Sequence, residues 1–424
     1  MNSDPERTPR YEPIVHDYLQ LGLRFGRIVD GFVDSWFGDP ELSRHVANES
    51  LATPAELAAE ASRLLAQLPD SGIDASRQRF LAAQLTALRC AASRLAGTEV
   101  SFRTEVQRYF EVEIAMGDPD RYADAHRAIA ELLPGSGDLR AKIDAYSERN
   151  HVPADRLRQC AEAVSDELRS TVGPLFGLPA TESVDYEVVH GKPWNAFNHY
   201  RGDFQSTVTL NDQAGRAVAA LPVLVTHESY PGHHTDHCLK EAGLVRGQGQ
   251  GEHLISLVNT PQCLVAEGMG ELALTAVRGA GWGKWTAQIL SENGVRLDGE
   301  LTERLLEHIK QLLPARQDAA LMLHDRGADM DEVVEYLRHW LLLPRDRAEH
   351  MVRFLTDPLW RAYTVTYIEG ARLVEAWLDI RSPKESVADR YRTLLHEPKL
   401  PSELQADLDA CPGRSQQAAQ RADG

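Results

Sequence analysis

The chain has 424 residues, 43% of them hydrophobic, and a formal net charge of −18, which predicts a globular, soluble protein with one large domain or two modest ones and speaks against a chain disordered throughout. The acidity, with no clustered Lys and Arg, speaks against a nucleic-acid surface, and no apolar run is long enough to span a membrane. Five scattered Cys without a Cys-x-x-Cys pair predict neither a disulfide framework nor a Cys-based zinc finger.

The start, Met1-Asn2-Ser3-Asp4-Pro5-Glu6-Arg7, lacks the basic segment, apolar stretch and cleavage site of a secretory signal, so a cytoplasmic location is expected. Up to about residue 172, apolar residues recur at three- and four-residue steps, as in Phe80, Leu81, Leu85 and Leu88. They predict helices over Ile14 to Phe37, Pro54 to Leu68, Asp74 to Leu95, Arg121 to Leu133 and Pro153 to Val172. Thr53-Pro54 and Asp118-Pro119 mark helix starts. With no dense cluster of chemical residues, these helices read as scaffold.

Composition changes after Gly173. Val184 to Val189 alternates as a strand does, Gly191-Lys192-Pro193 turns, and Ser206 to Leu210 is β-branched enough for a second strand. A helix from about Val218 to Thr226 then delivers His227 at its end. The helical pattern returns over Leu254 to Ala276, Leu297 to Leu313, Asp331 to Leu342 and Asp346 to Trp377, the last broken near Pro358. The expected fold is mainly α, a multi-helix, zinc-peptidase-like arrangement with a small β-sheet or hairpin beside the metal-bearing helix. An N-terminal helical part, 1–172, continues without a linker into a metal-site part, 173–410, and a polar tail, 411–424, is expected to be disordered.

The chemistry concentrates in His227-Glu228-Ser229-Tyr230-Pro231-Gly232-His233-His234. In the usual His-Glu-x-x-His zinc motif, two His four residues apart share a helical face and the Glu between them handles a water proton. Here Pro231 stands at the fourth position. On a regular helix His233 would point to the opposite side and His234 would lie ~10.5 Å along, so the helix must deform for either to join His227. Pro231 has no N–H for the carbonyl of His227 and clashes with it, while Gly232 opens backbone angles closed to other residues, so the pair can supply a kink. The plainer alternative starts a new helix at Pro231 and leaves His227 and Glu228 in a loop. His233 and His237, at regular i, i+4 spacing, form a rival metal pair of equal standing. A third ligand is expected from Glu267 or Glu271, four apart on one face among apolar neighbours, with one binding metal while the other orients a His or binds an amine.

The His-Glu-x-x-Pro-Gly-His-His string, followed by Glu267-Gly268 and a late Tyr367-Ile368-Glu369-Gly370 segment, resembles the bacterial domain-of-unknown-function 885 family, placed among mostly helical zinc peptidases of the gluzincin type. The resemblance spans roughly residues 195 to 380. It implies His227, His233 and Glu267 as zinc ligands, Glu228 as general base and Tyr367 as a donor to the developing oxyanion, with Tyr363 one turn earlier as a competitor. The chain departs from the family's Trp-Ala after the Glu-Gly pair, having Met269-Gly270, and from its Leu-Gln after the double His, having Thr235-Asp236-His237. It is also shorter than typical members.

The leading functional expectation is a zinc metallopeptidase or amidase-like hydrolase acting on a peptide or small amide-type substrate, with Asn195, His199, Tyr200 and Arg201 as candidate substrate contacts. Two His and one carboxylate also suit iron or manganese. The alternatives are a metal-dependent hydrolase or lyase of a small metabolite on the same scaffold, and a non-catalytic helical protein with an idle His cluster.

Overall fold

The computed structural model describes residues 11–192, 194–214 and 220–411. The opening residues 1–7, Pro193, the expected helix start at Val218 and the tail beyond Cys411 lie outside the described residues. The fold is mainly α with two small sheets. The first half runs α1 (Pro13–Ile28), β1 (Val33–Trp36), α2 (Pro40–Asn48), α3 (Pro54–Gln67), α4 (Ala75–Leu95), α5 (Phe102–Phe110), α6 (Pro119–Leu132), α7 (Leu139–Arg149) and α8 (Leu157–Phe176). Then come β2 (Ser183–Val189), β3 (Ala196–Gly202), β4 (Gln205–Asn211), α9 (Ala220–Glu228), α10 (His233–Leu239) and a π-helical turn, Lys240–Gly247. The chain continues through β5 (Ile255–Leu257), α11 (Pro261–Arg278), α12 (Trp282–Glu292), α13 (Gly299–Lys310), α14 (Ala315–His324), α15 (Met330–Trp340) and α16 (Arg345–Thr356). A second π-helical turn, Thr366–Gly370, leads into α17 (Ala371–Asp379), α18 (Val387–His396) and α19 (Pro401–Asp409).

Local signals set many of these boundaries. Thr53 and Glu56 form a reciprocal cap at the start of α3, and Asp74 and Asp118 cap α4 and α6 through their side chains. Tertiary pairing overrides the pattern elsewhere. The helix expected over Ile14 to Phe37 stops at Ile28, because the chain turns at Gly31 and residues 33–36 pair antiparallel with β5. That same pairing removes residues 255–257 from the helix expected over Leu254 to Ala276; α11 starts instead at Pro261, capped by Thr260. The long helix expected from Asp346 breaks after Thr356, where Asp357 Oδ1 accepts the N–H groups of Leu359 and Trp360 around Pro358.

The larger sheet has the order β2-β4-β3, with β2 parallel and β3 antiparallel to β4. Strand β3 was not among the expected strands, since its seven residues, Ala196–Gly202, include no β-branched side chain. One hydrophobic core joins both halves of the chain, taking in Phe25, Leu88, Leu168, Leu264, Trp377 and Leu408. Among the described residues no helix is long and apolar enough to cross a membrane.

Candidate metal centre

Helix α9 ends at Glu228, so His227 and Glu228 stand in its last turn and His233 opens α10. Between them Pro231 cannot continue the helix, and the Gly232 N–H turns back to the Thr226 carbonyl at 2.9 Å. A Cβ on Gly232 would lie 1.8 Å from the His227 carbonyl oxygen, so only glycine lets the chain fold this closely. The consequence is a pair of imidazoles with ring centroids 4.7 Å apart and nearly perpendicular planes. The break is therefore sharper than a kink inside one helix: α9 stops, and a second helix starts with the second imidazole on its first residue.

Helix α11 brings the third group. Glu267 Oε2 lies 3.3 Å from His227 Nε2, and its Oε1 lies 3.5 Å from His233 Nε2. Donor atoms ~2.0–2.2 Å from one tetrahedral metal are ~3.3 Å apart, so these separations fit ligands sharing an ion. One atom from each of His227, His233 and Glu267 falls within 4.8 Å of the others, and this is the one such group among the described residues. Glu267 Oε2 is buried and makes no hydrogen bond, whereas Oε1 accepts from the Tyr363 hydroxyl at 2.8 Å. A buried carboxylate oxygen without a donor is costly, and a cation between it and the two Nε2 atoms would satisfy it.

Neighbouring groups hold this set in place. Glu271 Oε1 is 3.7 Å from His227 Nδ1, the nitrogen facing away from the cluster, so it can orient the ring as a carboxylate behind a metal-binding His does. Gly270 leaves room for that ring, since a Cβ there would come 2.7 Å from His227 Cε1 and Nδ1. The Tyr391 hydroxyl, from α18, sits 3.3 Å from the Pro231 carbonyl and 3.1 Å from that of Met269, tying the helix break to α11. A buried polar chain supports the break from below. Glu182 accepts from the Tyr230 hydroxyl and from His234 Nε2 at 2.9 Å, and His234 Nδ1 meets Ser206 Oγ at 2.8 Å. Ser206 donates to Asn198, whose Nδ2 donates to the Glu228 carbonyl at 2.6 Å.

The electrostatics follow from burial among carboxylates. Burial disfavours the imidazolium of His227, but Glu267, Glu228 and Glu271 outweigh it and push its pKa up to about 10. The His233 pKa is raised on the same balance, burial against Glu267, while burial is outweighed in Glu267 by the two imidazoles, which hold its carboxyl below the usual range. A metal ion bound here would have to displace those protons. Burial raises the Glu228 pKa, with His227 and His233 opposing, which moves this carboxyl toward the range of a general base. Burial also keeps the hydroxyls of Tyr363 and Tyr367 protonated, their pKa values lying well above the ordinary value. The two tyrosines divide their positions: Tyr363 bonds Glu267, while the Tyr367 ring lies 6.5 Å from that of His227.

The other candidate residues fall outside the cluster. His234 is committed to Glu182 and Ser206, and His237 stacks on Tyr200 at 4.7 Å with its pKa driven well down by burial. Alternation along β3 buries Asn198 and Tyr200 and exposes His199 and Arg201. Arg201 pairs with Asp185 at 2.9 Å, Tyr200 donates to the buried Glu241, and the Asn195 carbonyl accepts from the Asn211 N–H. Of the four expected substrate contacts, none is therefore brought to the His227, His233 and Glu267 cluster. Asn198, on the inward face, is the residue of this strand that meets the site; strand periodicity applied to residues 196–202 would have marked it. Asp34 and Arg316 carried no sequence signal. Asp34 lines a pocket with His233 and Glu267, and Arg316 has a buried Nε without a hydrogen-bond partner.

No family model matches this chain, and neither does any curated protein. Among solved structures it is similar to a "putative lipoprotein" from Colwellia psychrerythraea, with a TM-score of 0.51 and 12% identity over 87% of this chain and 72% of that one. It is also similar to a "putative lipoprotein of unknown function" from Shewanella oneidensis, with a TM-score of 0.49 and 14% identity over 95% of this chain and 83% of that one. The likeness to the first is one of fold.

Proposed function

We propose that the protein is a zinc-dependent hydrolase of a peptide or related amide bond. The observation that carries this reading is the convergence of one donor atom each from buried His227 and Glu267 and from His233, all within 4.8 Å of one another, with Glu228 beside the first of them. Zinc held by His227, His233 and Glu267 would supply Lewis acidity toward water and the substrate carbonyl. Glu228, its backbone fixed by Asn198 and its pKa raised by burial, takes the water proton and passes it to the leaving amine. The protonated Tyr367 hydroxyl serves as donor to the developing oxyanion. The resemblance in the His-Glu-x-x-Pro-Gly-His-His string supports the same roles. A cytoplasmic location goes with this proposal, supported by five thiols that are all free.

The test is metal analysis of protein prepared without an affinity His tag, then kinetics on a fluorogenic peptide library. One zinc per chain is expected, with Glu228→Gln retaining that zinc while kcat falls ~10²- to 10⁴-fold. Absence of stoichiometric metal after zinc supplementation, or full activity in Glu228→Gln, would overturn the proposal.

A further inference from the structure

A narrow pocket opens beside the triad, walled by Asp34, His233, Asp236, Lys240, Glu267 and Tyr363. Asp34 reaches it from β1, where the register with β5 slips between Val33 and Ser35 and leaves Asp34 outside the ladder. Its carboxylate is partly buried, and the groups acting on it are His233, Glu267 and Glu228, without a hydrogen bond from any described residue. The other charges of the pocket have partners. Asp236 is held by Lys240 at 2.6 Å, and Glu267 faces the two imidazoles and the Tyr363 hydroxyl. Asp34 is thus the one carboxylate in the wall without a hydrogen-bonding partner, and the one cation there besides the candidate ligand His233, Lys240, already has a carboxylate.

We propose that Asp34 receives a free ammonium group of the substrate, the α-amine of the residue whose carbonyl is attacked, so that the enzyme prefers substrates with a free amino terminus. This rests on the hydrolase reading above. In an aminoacyl substrate the α-nitrogen lies ~2.5 Å from the carbonyl carbon, so a carbonyl placed at the triad puts the ammonium within the same small pocket. A carboxylate or phosphate in that position would meet Asp34 and Asp236 and find Lys240 occupied. Acetylation of the amine removes the charge and adds bulk where the pocket is narrow.

The experiment is titration calorimetry of the zinc-loaded full chain with leucine hydroxamate and N-acetyl-leucine hydroxamate, which share a metal-binding head and differ at the amine. Wild type is expected to bind the free amine at least ~10-fold more tightly, the magnitude of one charged hydrogen bond. Asp34→Asn is expected to shrink that preference to ~3-fold or less, with zinc content and affinity for the acetylated compound unchanged. Equal binding of the two compounds by wild type overturns the inference and leaves the hydrolase reading standing; this arm needs no variant. A preference that survives Asp34→Asn overturns it too, as does a variant that loses zinc, since Asp34 would then serve the metal ligands. Failure of wild type to take up zinc at all overturns the hydrolase reading and this inference with it.

Discussion

Removing the Glu182 carboxylate is expected to loosen the helix break and the metal centre together. Glu182 is 4% exposed and accepts three donors, His234 Nε2 at 2.9 Å, the Tyr230 hydroxyl and Arg169 Nε. A hydrogen bond to a charged group contributes ~1.5–3 kcal/mol, so the two fully buried bonds contribute ~3–6 kcal/mol. Arg169 is about half exposed, and its share is at most ~1 kcal/mol. Glu182→Ala therefore should cost ~3–7 kcal/mol, at or above the ~3–5 kcal/mol for removing one partner of a buried charged pair. Glu182→Gln, which keeps the shape and an acceptor, should cost ~1–2 kcal/mol. Tyr230 and His234 flank Pro231, Gly232 and His233, so the lost anchors also free the ligand His233. Zinc affinity should fall ~10- to 100-fold, as when a group behind a metal ligand is removed. Urea unfolding of the metal-free protein reads the first effect, and chelator competition reads the second. A Glu182→Ala variant within ~0.5 kcal/mol of wild type, or one that loses stability at unchanged zinc affinity, would refute the idea that this carboxylate holds the break.

The tyrosines should separate by readout. Tyr363→Phe removes the 2.8 Å bond to Glu267 and is expected to lower zinc affinity ~10-fold with little change in kcat, whereas Tyr367→Phe should lower kcat ~10²-fold at unchanged zinc content. The reverse pattern in metal competition and steady-state kinetics would exchange their roles. A third prediction concerns pH and lies away from the metal. Burial, with Lys240 and Arg77 nearby, pushes the His253 pKa down to about 3, and its Nδ1 has no partner. The unfolded chain takes up this proton near pH ~6.5 and the folded one only near pH 3, so this contribution to stability is full above ~6.5 and falls as pH drops toward 3. Between pH 7 and 5 the loss should reach ~2 kcal/mol at most, and His253→Phe, whose ring can keep the 4.8 Å contact with Phe80, should flatten it. An unchanged pH slope in thermal or urea unfolding would assign the titration elsewhere.

Segments whose structure is decided locally were legible in the sequence. The helix expected over Pro54 to Leu68 is α3, Pro54–Gln67, because its apolar period and the Thr53 and Glu56 cap sit within the segment itself. The second strand, expected over Ser206 to Leu210, extends by one residue at each end. Pairing across long stretches of chain was not legible. Strands β1 and β5 are four and three residues long, and each blends into the apolar run of an adjoining helix. Asp34 was hidden for that reason: placed in a helix it has no special position, and only the slip between Val33 and Ser35 presents it to the pocket. Glu182 likewise acquires its importance from donors 48 and 52 residues away.

The spacing of the His string marks the boundary between the two kinds of information. Helix geometry requires a break between His227 and His233, and Pro231 with Gly232 names its place. Spacing alone leaves His233 to pair with His227 or with His237, because both pairings satisfy some regular geometry. What stands opposite distinguishes the two pairings: Glu267 faces His227 and His233, whereas Tyr200 stacks on His237. Gly270 belongs to the same logic. With the His227 ring where a Cβ on residue 270 would lie, an Ala there would push Cε1 outward by several tenths of an ångström, unless the ring shifts with it. Ligand distances tolerate only ~0.2 Å, so the residue at 270 and the seat of the His227 ring must change together.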